Sequence, residues 1–157
     1  MKDEIRQRKP FASAEQEAFL NIQRTADVLM RGLEGVLKPA GLTPAQFNVL
    51  RILRGAGVDG LLCHELLDRM ITRHPDVTRL LDRLEARGWV TRLRDRRDRR
   101  AVAARITASG RSLLAGLDEP VTDLHRRQLS HLGEQRIKGL IALLESARDE
   151  PGKSGDT

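Results

Sequence analysis

The 157-residue chain is 39% apolar and 32% charged with a net charge of +6, which fits one globular domain, or one domain plus an assembly element. It has no Tyr and three Phe, which argues against an aromatic-lined cofactor site, and the lone Cys63 excludes an intrachain disulfide and a cysteine-rich zinc or iron–sulfur centre, so no cofactor and no metal are expected. No apolar run approaches the roughly 20 residues that span a bilayer, and the start MKDEIRQRKP lacks the apolar core of a signal peptide, so a cytoplasmic location with no membrane partner is expected.

From Ser13 to Lys38, Phe19, Ile22, Ala26, Leu29, Met30, Leu33 and Leu37 recur at steps of three and four and predict a long amphipathic helix, which Pro39 and Gly41 end. Thr43-Pro44 supplies a cap and a first-turn proline for a second helix whose buried stripe is Phe47, Leu50 and Leu53; Gly55, Gly57 and Gly60 then break the pattern. A short helix fits His64 to Met70, with Leu66, Leu67 and Met70 as its apolar residues. After a tight connection comes a longer helix, about Pro75 to Arg87, with Val77, Leu80, Leu81 and Leu84 inward and Gly88 as terminator. That order is helix-turn-helix spacing. Pro75, Arg79, Asp82, Arg83 and Ala86 turn outward from the stripe, with Thr78 at its margin.

Trp89 to Leu93 and Ala101 to Thr107 alternate with the strand period, Val102, Ala104 and Ile106 sharing one face, and should pair as a hairpin. Thr107 can cap a helix carrying Leu113, Leu114, Leu117, Val121 and Leu124, which Pro120 is expected to bend or split. Gly133 starts a last helix, with Leu132 and Ile137 placed as a staple and Leu140, Ile141, Leu144 and Ala147 as its stripe; the tail PGKSGDT is expected to be disordered.

The charge is unevenly placed. Residues 69–111 hold 13 Arg against five Asp or Glu, a local +8, so the remainder sums to −2. Arg92, Arg94, Arg96, Arg97, Arg99 and Arg100 face only Asp95 and Asp98, leaving +4 on the hairpin tip, a repulsion that a polyanion relieves. A solvated, unliganded hairpin is the plain alternative for such a run, but its place beside a helix-turn-helix favours nucleic acid. Arg79 and Arg83 are the candidate base readers, with Asp76, Asp82 and Glu85 as competing helical partners. Arg96, Arg97 and Arg99 are candidate phosphate anchors on charge alone.

The terminal helices carry more apolar surface than a small module covers by itself. Phe19, Ile22, Leu140, Ile141 and Leu144 are therefore candidate dimerisation residues, and a dimer would present two reading helices to half-sites one DNA turn apart. His64, His74, His125 and His131 do not have metal-ligand spacing, and no nucleophile–base pattern or phosphate-binding glycine loop stands out. A non-enzyme is expected.

Four segments carry a family resemblance: GLTPAQFNVLRIL from Gly41, VTRLLDRLEARGWV from Val77, DRRDRRAVAARIT from Asp95 and ASGRSLL from Ala108. In this order they resemble the MarR family of bacterial transcriptional regulators, over roughly Gly41 to Leu114. The resemblance implies an obligate homodimer with a winged helix-turn-helix lobe on each chain, its recognition helix in the major groove and its wing in the minor groove of double-stranded DNA. It matches Thr78 and Arg79 to recognition-helix contacts, and Asp98 and Arg100 to the wing D-x-R in which the arginine enters the groove and the aspartate holds it. The chain departs from the family at Arg73-His74-Pro75, where Ser, Thr or Asp commonly opens the recognition helix. It also places Cys63 near the third helix, whereas the oxidant-sensing branch uses a first-helix cysteine, so peroxide sensing is not carried over.

The expected fold is mainly α: a winged helix-turn-helix with a small β-hairpin wing, flanked by long N- and C-terminal dimerisation helices. Its expected division is 1–38 for the first dimerisation helix, 39–107 for the DNA-binding lobe, 108–149 for the C-terminal dimerisation helices and 150–157 for the tail. The expected function is a homodimeric, ligand-responsive repressor of a palindromic duplex site, released by a small-molecule effector in a pocket that the resemblance implies. An activator or anti-repressor on the same fold, a winged module docking an acidic protein, and a Cys63-based redox regulator are the rival readings.

Overall fold

A computed structural model describes residues 4, 6–72, 76–94 and 102–149. The expected disordered tail, Pro75, and the tip residues Arg96, Arg97, Asp98, Arg99 and Arg100 lie outside them. The described chain divides into two compact units, one ending at Val121 and the other beginning at Thr122.

In the first unit, Ser13 caps α1 (Ala14–Leu37), its hydroxyl accepting from the Gln16 N–H at 3.2 Å. A 3-10 turn over Lys38–Ala40 and Gly41 in the left-handed region redirect the chain. Thr43 and Gln46 close a reciprocal capping box at 3.0 and 3.3 Å, and α2 (Pro44–Gly55) follows with Phe47, Val49, Leu50 and Leu53 buried. Next come β1 (Leu61–Leu62), α3 (Cys63–Arg69), α4 (Val77–Ala86), β2 (Val90–Arg94) and β3 (Val102–Ile106). Finally comes α5 (Ala108–Leu129), of which this unit holds the part up to Val121; it opens on Thr107, whose hydroxyl accepts from the Gly110 N–H at 3.1 Å and donates to the Gly88 carbonyl at 2.7 Å.

One apolar core joins these elements, from Leu37 and Leu50 through Leu66, Leu81 and Leu84 to Val90, Ile106 and Leu114. The fold is thus mainly α with a small antiparallel sheet, as expected, but the hairpin has a third strand. β1 pairs with β3, giving the order β1-β3-β2. Two residues are too few to show an alternation, so the sequence pattern does not mark that strand. Its seating needs Gly60, whose φ is +73° and where a Cβ would meet the Ala104 carbonyl oxygen at 2.3 Å.

Of the two outcomes expected at Pro120, the split does not occur: α5 runs through that residue, although it has no N–H to offer the Gly116 carbonyl. Side-chain burial on both sides outweighs the lost bond, because Leu114, Leu117 and Val121 stay buried in register. Val102, Ala104 and Ile106 fall at alternate positions of β3, as expected, and Val102 is 46% exposed while Ala104 and Ile106 are buried, since the core reaches only the inner half of the strand.

In the second unit, Gly133 with φ +77° turns the chain from a 3-10 segment (Ser130–Leu132) into α6 (Glu134–Ser146). No α6 residue is buried: Leu140, Ile141 and Leu143 are exposed and Leu144 is half-buried.

Candidate nucleic-acid interface

α4 is built as its spacing predicts. Val77, Leu80, Leu81 and Leu84 are buried, while Thr78, Arg79, Asp82, Arg83 and Ala86 are exposed. Asp76 caps it, Oδ1 accepting the Arg79 N–H at 3.0 Å, and Oδ2 also meets Arg79 Nε at 2.9 Å. The Arg79 side chain is nonetheless 79% exposed, and a pair of that kind contributes less than about 1 kcal/mol, so a phosphate or a guanine edge displaces it readily. Arg83 has no ion-pair partner among the described residues. Two guanidinium groups four residues apart thus leave one helix face together.

Contacts before, after and along α4 organise this region. Six residues before α4 begins, Asn48 Oδ1 on α2 accepts the Ile71 N–H at 3.2 Å. At its exit, Arg87 donates from Nη1 to the Gly41 carbonyl at 2.7 Å and lies over the Trp89 ring at 4.5 Å from its centroid. Along its flank, Arg92 on β2 donates from Nε and Nη2 to Glu85 Oε2 at 2.8 and 2.6 Å, and from its backbone N–H to Glu85 Oε1 at 3.0 Å. Nη2 of the same guanidinium reaches Asp82 Oδ1 at 2.6 Å. The hydrogen bond from Arg92 holds the Glu85 carboxyl below the usual carboxylate range. Arg92, counted above with the hairpin charge, is therefore committed to α4, and Asp82 and Glu85 find their cation on the strand. The sequence signals the charges but not this pairing, because Glu85 and Arg92 are seven residues apart.

A cleft of about 510 Å³ lies beside this face, lined by Met30 and Glu34 of α1, Thr43 and Pro44 at the start of α2, and Arg79 and Arg83 of α4. Its lining is part apolar and part charged, with Glu34 and Asp76 beside the two arginines. Cys63 is half-buried at the start of α3 and packs against the core. Phe19 and Ile22 on α1 are 60% and 46% exposed, although the end of the same helix, Leu37, is fully buried. Among the described residues no cluster of His, Cys, Asp or Glu is arranged to hold a metal ion, and no helix is long and apolar enough to cross a membrane.

Comparison with known proteins gives a consistent pattern. The model of the MarR family matches residues 40–101. The multiple antibiotic resistance protein MarR of Escherichia coli K12 is 33% identical over 116 residues, covering 73% of this chain and 79% of that protein. A crystal structure of a MarR transcription factor from Planctomyces limnophilus is 39% identical with a TM-score of 0.66, covering 87% of this chain and 99% of that one. A cysteine-to-serine variant of Escherichia coli MarR, crystallised in complex with operator DNA, has a TM-score of 0.80 at 27% identity and covers 90% of this chain and 100% of that one.

Proposed function

The chain belongs to the MarR family of DNA-binding transcriptional regulators, and on that premise we propose that it is a homodimeric, ligand-responsive repressor of a palindromic duplex site. The observation that carries this reading is the exposed face of α4, where Arg79 and Arg83 stand clear of the buried Val77-Leu80-Leu81-Leu84 stripe. Thr78, Arg79 and Arg83, with Pro75 ahead of them, read base edges in the major groove. Asp98 and Arg100 serve the minor groove, and Arg96, Arg97 and Arg99 anchor phosphates. The likeness to a regulator crystallised on operator DNA supports this placement.

Dimerisation covers apolar side chains that a single chain leaves in water. Phe19, Ile22, Leu140 and Ile141 are exposed and Leu144 half-buried, and their burial between two chains supplies roughly 25 cal/mol per Å². The cleft beside Arg79 and Arg83, which Glu34 and Asp76 also line, offers room for a small effector with an apolar body. A tenfold release of DNA requires about 1.4 kcal/mol of difference in ligand affinity between the free and DNA-bound states. The protein acts in the cytoplasm.

The test is a gel-shift titration of the purified chain on the promoter upstream of its own gene, with and without aromatic acids. Salt-sensitive binding relieved by one such acid is expected. Absence of any shift contradicts the reading, and a shift that no acid relieves leaves a regulator without that effector.

A further inference from the structure

Arg92 carries charge in the hairpin, yet its geometry differs from that of a phosphate anchor. Its Nε and Nη2 are already engaged by Glu85, Nη2 also meets Asp82, and its side chain is only 28% exposed. Its backbone N–H is bonded to the same Glu85 carboxylate, so strand and side chain grip α4 together. Both acceptors lie on the α4 segment that carries Arg83. Asp82 is exposed and immediately precedes Arg83, where an uncompensated carboxylate would repel an approaching phosphate.

We propose that Arg92 is a positioning residue for duplex recognition: it sets the rotation of α4 against β2 through Glu85 and neutralises Asp82, without itself contacting phosphate. The inference rests on the DNA-binding reading above. Two roles for one arginine predict different signatures. A phosphate anchor contributes counterion release, so its loss lowers the salt slope by roughly 0.9 and weakens all duplexes alike. A positioning residue leaves the slope intact and weakens the duplexes that depend on side-chain placement.

Glu85 offers an independent check, because Glu85→Gln makes the protein more positive. Simple electrostatics then predicts tighter DNA binding, whereas loss of the clamp predicts weaker binding.

The experiment measures dissociation constants of the full-length wild-type, Arg92→Gln and Glu85→Gln proteins across a range of salt. The probes are a duplex selected from a random library by the wild-type protein and an unrelated duplex of equal length. Thermal melts establish that each variant is folded. Both variants are expected to lose roughly 3- to 30-fold on the selected duplex, with the unrelated duplex little changed and the salt slope kept. A lower slope for Arg92→Gln, unchanged affinity for it, or tighter binding by Glu85→Gln overturns the inference while wild-type binding upholds the DNA reading. Failure of the wild-type protein to select any duplex overturns both.

Discussion

Arg54 on α2 meets Asp118 on α5 through two parallel bonds, Nη1 to Oδ2 at 2.8 Å and Nη2 to Oδ1 at 2.9 Å. This forked geometry is the strongest form of an arginine–carboxylate pair, and it joins two elements that are 64 residues apart in the chain. The hydrogen bond from Arg54 lowers the Asp118 carboxyl from its ordinary value of 3.8, as the Arg92 bond lowers Glu85 from 4.5.

Both shifts link stability to pH with the same sign. The unfolded chain binds these protons more readily than the folded one, so each pair stabilises the fold above about pH 4.5 and loses that contribution as pH falls through the depressed folded-state values. The side chains of Asp118 and Glu85 are 50% and 36% exposed, so solvent screening limits each pair to under about 1 kcal/mol. Urea unfolding midpoints at pH 7 and pH 3 should draw together in Asp118→Asn relative to wild type; an equal acid sensitivity in both proteins would contradict this.

Gly60 and Gly57 both have positive φ, at +73° and +75°, but only Gly60 would drive a Cβ into backbone, 2.3 Å from the Ala104 oxygen. Gly57→Ala should cost about 1 kcal/mol for the left-handed conformation. Gly60→Ala should cost clearly more, because the β1–β3 pairing must shift as well. Thermal unfolding of the two variants checks the order.

Core and surface apolar residues should separate in their effects. Leu84 is fully buried, so Leu84→Ala should destabilise the fold by about 2–5 kcal/mol. Phe19 and Ile141 are 60% and 50% exposed, so Phe19→Asp and Ile141→Asp should leave the isolated chain folded and shift sedimentation from dimer to monomer. Dimers that persist in both variants would place the contact elsewhere.

Much of the fold was legible because its signals are local. The α4 stripe, the Thr43 and Thr107 caps and the glycine before α6 each depend on residues within a turn of one another. What escaped depends on partners distant in sequence. β1 exists only through Ala103 and Ala104 on β3, and Arg92 is turned from a tip charge into a clamp by Glu85 and Asp82. The split weighed at Pro120 fails for a related reason: the local cost was plain, while the burial that carries α5 through it was not. At the candidate site, the outward position of Arg79 and Arg83 followed from helical spacing. The cleft beside them draws on α1, α2 and α4 at once, and no motif marked it.

The most direct measurement is the salt dependence of duplex binding by the wild-type protein and by Arg79→Ala and Arg83→Ala. The wild-type protein should bind a selected palindromic duplex with affinity that falls steeply as salt rises, and Arg79→Ala should lose about 1–3 kcal/mol with relaxed base preference. Arg83→Ala should weaken binding and relax base preference too, because Arg83 leaves the same reading face. Undiminished affinity and base preference in both variants, with their folds intact, would contradict the placing of α4 in the groove.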